Sequence, residues 1–520
     1  MRIGIDVGGT NTDAVLVSGT EVVAKIKTPT TADVTSGIVT AIEYLLSSGQ
    51  VPSGSITAVM IGTTHFTNAV IERRRLARTG VLRLGLPATQ AVEPFEDWPD
   101  ELRSAIGAHA ILLHGGNEFD GREISALDEA ELLAAVDELA AAGVEAVAVS
   151  SVFSPVAPAM EKRAAALIEQ AAPEMSITLS HEIGRLGLLE RENAAAINAM
   201  LRPLAVATVE SFRASLRDLR IDAPLYLTQN DGTIMHADLA ERYPVLTFAS
   251  GPTNSMRGAA FLSGLENALV LDIGGTTSDV GALVDGFPRE SAVAARFADV
   301  RTNFRMPDLL SFGLGGGSIV RELGEGVTIG PDSVGCELLE RGLVFGGDTL
   351  TATDVAVAAG MADLGDRSLL SLDGGTVADA VSLMRRMIEE SLDRMKLNKS
   401  PEPVIIVGGG SILCGDEIEG AARVVRPTHY EVANAVGAAI AQVSGEVDKI
   451  FPLASTTRPD AIRLAREEAV RRAIAAGAEP DSTRIVDLEE IPVAYMESSM
   501  IRVRAKAVGD LAPEPTTAAR

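Results

Sequence analysis

Val270-Leu-Asp-Ile-Gly-Gly-Thr-Thr-Ser-Asp279 is the stretch whose reading decides the fold. The apolar run Ala268 to Ile273 enters it as a buried strand does, and Asp272 interrupts that run. Gly274-Gly275 then turn the chain back before Val280-Gly-Ala-Leu-Val284 resumes as a second strand. This predicts a hairpin whose tip gathers small residues, backbone N–H groups and hydroxyls at one point. The same device opens the chain, where Arg2-Ile-Gly-Ile-Asp6 leads into Val7-Gly-Gly-Thr-Asn-Thr-Asp13 and then Ala14 to Val17. Position for position, Asp6-Val-Gly-Gly-Thr-Asn-Thr-Asp13 matches Asp272-Ile-Gly-Gly-Thr-Thr-Ser-Asp279. A repeat this far apart predicts two similar half-molecules facing one shared site.

Phosphate handling is the chemistry that such a hairpin suits. Gly8, Gly9, Gly274 and Gly275 let the backbone come within hydrogen-bonding distance of an oxyanion, and successive N–H groups form an anion-binding nest. Thr10, Thr12, Thr276 and Thr277 add hydroxyl donors, with Asn11 at the first tip beside them. Asp6 and Asp272 cannot face a phosphate bare, because like charges repel; both would hold Mg²⁺ directly or through its water shell. One copy alone reads equally well as an ordinary tight hairpin capped by an Asp. Two matched copies favour phosphate.

At 520 residues the chain is too long for one core, so about two to four domains are expected. Hydrophobic residues make up 46% and aromatics only 4%, which predicts a globular protein with an aliphatic interior. The net charge of −26 argues against nucleic acid or an anionic membrane as partner. It does not exclude a nucleotide that arrives with Mg²⁺. Cys336 and Cys414 form no CxxC and no zinc spacing, so a reducing cytosol is expected. Met1 leads straight into a strand, with no signal peptide, and no apolar run approaches a membrane span. The expected location is cytoplasmic.

After the first hairpin, Glu21 to Lys27 is predicted as a strand, Asp33 to Leu46 as a helix with Asp33 as N-cap, and Ile56 to Ile61 as a buried strand. That strand ends at Thr63, Thr64 and His65, where open α/β sheets place ligands. Strand, strand, strand, helix, strand is the opening order of a ribonuclease-H-like lobe. The expected domains are a first lobe over residues 1–200, with an inserted α/β subdomain at about 87–185, and a second lobe over 201–455 whose strands begin near Leu225. A long helix over Glu190 to Leu219, broken near Pro203, is expected to join the lobes. A small α/β appendage should occupy 456–520, with a disordered end from Gly509. Two further glycine clusters stand out, Gly315-Gly316-Gly317 and Gly408-Gly409-Gly410-Ser411. The second follows the predicted strand Pro403 to Val407 and leads into a helix-prone stretch, an arrangement that favours an anion or a closely packed nucleotide. For either cluster, tight packing alone is the competing reading. Asp354 is either a helix cap or a substrate ligand.

Other signatures are missing. No G-x-x-x-x-G-K-[ST] occurs, nor H-E-x-x-H, nor G-x-S-x-G, which sets aside a P-loop and the commonest zinc-protease and serine-hydrolase sites.

The two aspartate-glycine hairpins and Val407-Gly-Gly-Gly-Ser411 resemble the phosphate and adenosine motifs of the actin-like ATPase superfamily. More narrowly, Gly62-Thr-Thr-His-Phe-Thr-Asn-Ala69, Ser250-Gly-Pro252, Gly315-Gly-Gly-Ser-Ile319, Gly330-Pro-Asp-Ser-Val-Gly335 and Gly347-Asp-Thr-Leu-Thr-Ala-Thr-Asp354 resemble, in this order, the hydantoinase A/5-oxoprolinase family. The resemblance covers roughly residues 1 to 450 and implies two actin-like lobes that use ATP and Mg²⁺, with Asp6 and Asp272 as catalytic metal-holding residues. It implies ATP-dependent opening of a cyclic amide or imide such as a hydantoin, 5-oxoproline or a lactam. It further implies a second, B-type subunit, or else a homo-oligomer. A small-molecule kinase of the same fold and a non-enzymatic nucleotide switch are the alternatives. Larger family members continue with a sizeable C-terminal domain, whereas only the short appendage follows here.

Overall fold

A run of strands, several of them apolar enough to be buried on both faces, builds the first half of the computed structural model. The structure describes residues 1–30, 34–291, 295–323, 326–453, 455–493 and 500–512. The cap expected at Asp33, and residues 513–520 of the expected disordered end, lie outside the described residues. β1 (Arg2–Val7), β2 (Asn11–Ser18) and β3 (Glu21–Pro29) form an antiparallel meander. The Val34–Ser48 helix then crosses over to β4 (Ala58–Thr63), which lies parallel to β1. β1, β2 and β4 read as near-continuous apolar runs because helices and loops cover both faces.

A separate parallel sheet follows: β5 (Thr79–Leu86), β6 (His109–His114), β7 (Ala146–Ser151) and β8 (Ser176–Leu179), in the order β6-β5-β7-β8. This subdomain starts at Thr79, earlier than the expected 87, because Pro87 only closes its first strand. The Leu188–Asp218 helix runs 31 residues straight through Pro203. Its buried packing on β7 and β8 overrides the local helix-breaking tendency. β9 (Leu225–Thr228) pairs with β4, and β10 (Ile234–His236) pairs with β9. Residues 225–236 therefore belong to the first sheet, not to the start of a second lobe.

The second lobe begins with β11 (Ala268–Ile273), β12 (Ser278–Val284) and β13 (Phe287–Pro288). A small hairpin, β14 (Ala295–Phe297) with β15 (Val300–Thr302), precedes β16 (Leu309–Phe312), which adds to β12. β17 (Ser318–Leu323) and β18 (Gly326–Ser333) form another hairpin. The amphipathic Gly374–Met395 helix then leads to β19 (Glu402–Val407) and β20 (Ala421–Val425). The order β13-β12-β11-β19-β20 reproduces β3-β2-β1-β4-β9, with the same parallel and antiparallel relations. The molecule thus has two ribonuclease-H-like lobes.

The tail does not stand apart. The Ala433–Ile440 helix packs back on β1 and β2 before the chain enters β21 (Val443–Pro452). β21, β22 (Arg484–Val493) and β23 (Met500–Gly509) join β10, so the first sheet has nine strands in the order β22-β23-β21-β10-β9-β4-β1-β2-β3. The Arg458–Ala475 helix lies on β21 and β23, with Ala461, Ala465, Ala469 and Ala473 buried along its inner face. The approach is close: a Cβ on Gly445 would come within 2.1 Å of the Ala473 nitrogen. The appendage expected from residue 456 therefore begins at Val443 and extends the first lobe.

Candidate functional site

Both hairpin tips are built alike and point at each other. In each, the first glycine N–H closes the turn, Gly8 to the Asn11 carbonyl at 3.0 Å and Gly274 to the Thr277 carbonyl at 2.9 Å. The hydroxyls of Thr10 and Thr276 lie 3.5 Å apart across the cleft. Register places Asp6 opposite Asp13 and Asp272 opposite Asp279, so each hairpin carries a cross-strand pair of carboxylates just below its tip. Like charges facing one another at this position are costly unless something neutralises them.

The protein neutralises only part of that charge. Lys27 donates to both oxygens of Asp13, at 2.7 and 2.8 Å. Asn434 donates to Asp6 at 3.0 Å and to Asp13 at 2.8 Å, and Asn254 donates to Asp6 at 2.9 Å. Asp6 itself receives amide donors but, among the described residues, no cation. Burial pushes its carboxyl up to about 6; the Asn254 and Asn434 hydrogen bonds oppose that shift, and the nearby Asp13 and Asp272 charges add to it. Burial also raises Asp272, against a hydrogen bond from Ser255 and the charge of Lys27. Asp279 is pushed up to about 6 by burial, against a hydrogen bond from Ser311. The carbonyl oxygen of Asn254, beside Asp6, is buried without a donor. Oxygen donors with an uncompensated carboxylate fit a hard divalent cation. Among the described residues no group of three or more His, Cys, Asp or Glu could hold a metal. A cation here would therefore share Asp6 and Asp272 with water and a ligand's phosphate oxygens.

Other expected residues separate into those at the cleft and those beneath it. Gly408 has φ +87°, and a Cβ there would lie 2.3 Å from the Asp272 Oδ1. A Cβ on Gly410 would lie 2.5 Å from the Gly274 carbonyl, and Gly409 approaches the Lys27 side chain. Gly409–Leu413 is a single 3₁₀ turn, not the predicted helix, and Ser411 is buried within it. Thr63 and Thr64 sit beside β1: Thr63 accepts from the His65 N–H, and Thr64 donates to the Val7 carbonyl at 3.3 Å. His65 opens the short His65–Ile71 helix.

Gly315, Gly316 and Gly317 do not face a ligand. Their N–H groups go to the Ser318 hydroxyl and to the Gly274 and Gly275 carbonyls, so the loop buttresses the second hairpin from below. Asp354 is likewise not a substrate ligand. It is fully buried, its carboxylate accepts from Val344 and from the backbone and hydroxyl of Thr351, and it completes a capping box for the Ala352–Ala358 helix. Both of its oxygens are thus engaged within the protein.

Asn254, Asn434, Asp13 and Lys27 were missed in the sequence. Asp13 and Asp279 did carry a signal, as the last matched position of the repeat. Asn434 carried none, being 428 residues from the carboxylate that it holds.

Two such lobes with facing hairpin tips define an actin-like protein. Family comparison resolves the chain further. The N-terminal region model of the hydantoinase/oxoprolinase family matches residues 2–172, and the hydantoinase/oxoprolinase model matches residues 191–397. The chain belongs to the hydantoinase/oxoprolinase family. It is 28% identical over 84% of its length to the caprolactamase subunit alpha of Pseudomonas jessenii, and 27% identical over 69% to the acetophenone carboxylase gamma subunit of Aromatoleum aromaticum. The matches span 65% and 53% of those relatives' own lengths. Its fold is similar to the crystal structure of the ATP-dependent caprolactamase from Pseudomonas jessenii, with a TM-score of 0.76 and 21% identity over 100% of this chain and 89% of that one. It is also similar to nucleotide-free acetone carboxylase, with a TM-score of 0.71 and 17% identity over 99% of this chain and 88% of that one. Among the described residues no helix is long and apolar enough to cross a membrane.

Proposed function

We propose that this chain is the ATP-dependent subunit of an enzyme that activates and opens a cyclic amide. The observation that carries the reading is the pair of facing hairpins, each with a glycine tip above a carboxylate pair. An unstrained cyclic amide resists water because its carbonyl is a poor electrophile. Transfer of the γ-phosphoryl of ATP to the amide oxygen breaks the bond to ADP and turns that oxygen into a leaving group. Water can then add to the carbon, the ring C–N bond breaks as nitrogen takes up a proton, and a second water frees the phosphate, leaving a carboxylate. Glycine N–H groups at both tips would orient the phosphates. Asp6 and Asp272 would hold Mg²⁺, which neutralises phosphate charge, while Asn254 and Asn434 keep the Asp6 carboxylate in place.

The caprolactamase and acetophenone carboxylase relatives are named as subunits, and no hydrolytic triad or zinc site was legible in the sequence. The proposal therefore includes a second protein that completes the ring-opening site. The test incubates the purified chain with ATP, Mg²⁺ and a panel of hydantoins, 5-oxoproline and lactams, with and without candidate partner subunits, and follows ADP and ring-opened product by mass spectrometry. Ring opening with stoichiometric ADP formation only when a partner is present is expected. A stable phosphorylated product would identify a kinase instead, and efficient ring opening by the chain alone would remove the partner from the proposal. Nucleotide affinity that is equal with and without EDTA would remove the metal.

A further inference from the structure

A cavity of about 810 Å³ lies off the carboxyl ends of β7, β8 and β9, where open α/β sheets take ligands. Small-molecule sites span about 300–1,000 Å³. Val156, Ile183, Leu186, Met235, Leu239 and Leu246 give it an apolar wall. Its charges answer one another. Every carboxylate in the lining is ion-paired: Glu182 with Arg242, Asp231 with Lys506, Glu446 with Arg305 and Asp448 with Arg502. Among the lining cations, Arg185 lies 3.9 Å from Glu290, and Lys449 and Arg472 are solvent-exposed. A charged ligand would compete with these pairs, whereas a neutral polar one leaves them intact. The cavity also adjoins the first hairpin. Asn230 in its wall accepts from the Ala249 N–H at 2.8 Å; the next residue, Ser250, donates to the Thr63 carbonyl, and Thr63 pairs with Val7, just before Gly8.

Within this lining His181 keeps an unused acceptor. It follows β8 directly, and its Nδ1 lies 2.6 Å from the Glu161 carboxylate. Glu161 is fully buried and also accepts from the Ser151 N–H, the Ser180 hydroxyl and the His181 N–H. A carboxylate so surrounded by donors has no proton of its own, so Nδ1 carries the hydrogen and Nε2 is left as a free base. Nε2 has no partner among the described residues. A buried carboxylate that fixes a histidine's tautomer, while the other ring nitrogen is open to a ligand cavity, is the arrangement of a proton carrier. We propose that this cavity holds the ring of a neutral cyclic amide or imide and that His181 moves the protons of its opening. The inference rests on the reading above, in which ATP has phosphorylated the amide oxygen. Nε2 takes a proton from water as the water oxygen bonds to the carbon, and the imidazolium passes it to the ring nitrogen as the C=N bond becomes single. The proton of the new hydroxyl follows by the same route as the C–N bond breaks and the carbonyl re-forms, leaving an amine and an acyl phosphate. A second protein then closes a site whose proton carrier is already in this chain.

The test has a binding arm without ATP and a kinetic arm with it. Calorimetry on the full chain compares 2-piperidone, ε-caprolactam and hydantoin with 5-oxoproline, whose carboxylate is charged. At least one neutral ring is expected to bind about tenfold more tightly than 5-oxoproline. Leu239→Trp, at an exposed point of the lining, should weaken that binding about tenfold and leave the affinity for ADP unchanged. The kinetic arm follows single turnovers of the ring that the wild type opens, with the partner subunit present. There His181→Gln should still form ADP, while ring opening falls at least about a hundredfold. Imidazole added to His181→Ala should restore part of the ring opening. Circular dichroism and the affinity for ADP, measured on the same variants, separate a lost proton carrier from a lost fold. A wild type that forms no ADP with any ring would overturn the ATP reading and the proton role with it. Ring opening by His181→Gln at the wild-type rate, ADP formation lost in step with it, or no rescue by imidazole would overturn the proton role alone. Binding of no neutral ring, or tighter binding of 5-oxoproline, would remove the ring from the cavity.

Discussion

At the scale of single residues, the site is governed by carboxylates held in their costly form. Asp6, pushed to about 6 by burial, binds its proton more tightly in the folded chain than in the unfolded one. Between about pH 4 and 6 the native state therefore holds the extra proton, and stability falls as pH rises through that window and levels off above it. Roughly two pKa units correspond to about 3 kcal/mol at most. Asp6→Asn should remove that share of the slope while Asp279 retains its own, a difference readable by urea unfolding at pH 4.5 and 7. At Asp272 the expectation is kinetic: Asp272→Ala should abolish ATP turnover with an unchanged circular dichroism spectrum, and wild-type turnover in that variant would falsify its assigned role. Asp6 and Asp272 were legible because a carboxylate that interrupts an apolar strand, twice and in the same context, needs a cause. Asp354 was only half legible. Threonine three residues before aspartate is a capping-box pattern, and the structure uses one carboxylate oxygen in that way, while the other accepts from the Val344 N–H.

Among elements, the crossing of the Ser250–Ser263 and Ala433–Ile440 helices fixes Asn254 and Asn434 on the Asp6 carboxylate. These helices touch backbone to backbone: a Cβ on Gly258 would fall 1.8 Å from the Ala433 carbonyl oxygen, and one on Gly437 would fall 1.9 Å from that of Asn254. Neither neighbour can give way, since both are main-chain atoms. Gly437→Ala should therefore cost about 1–3 kcal/mol by overpacking. It should also lower ATP turnover more than an equally destabilising core change such as Leu392→Val, on the far side of the second lobe, as parallel melting and ATPase measurements would reveal. The hairpins were legible because their signals are local, in the turn glycines and the apolar runs that flank them. The 3₁₀ turn after Gly408 was not, because the backbone of the facing hairpin decides it, and that hairpin lies far away in sequence.

For the whole molecule, the division of the chain follows sheets rather than sequence order. Residues 225–236 and 443–509 enter the first sheet through the long-range pairs β4–β9 and β10–β21, which no local pattern could reveal. A buried ion pair joins the two segments: Lys506 lies 2.7 Å from Asp231, whose carboxyl is held at about 2 against burial by that lysine and by Thr233. Lys506→Met would strand the Asp231 charge in the interior, at a cost of about 3–5 kcal/mol. The double variant with Asp231→Asn should recover much of the loss, and chemical denaturation of both variants beside the wild type would measure it. The same arrangement governs how the protein is made. β1 is synthesised long before the Ala433–Ile440 helix that covers it and the β21–β23 strands that finish its sheet. At about 5–20 residues per second, roughly 20–75 s separate the synthesis of β4 from that of the covering helix. During that interval the nascent first lobe presents an unsealed apolar face. Ribosome-arrested chains ending near residue 430 should therefore be protease-sensitive and engage chaperones, and those extended through residue 520 with a linker spanning the exit tunnel should not.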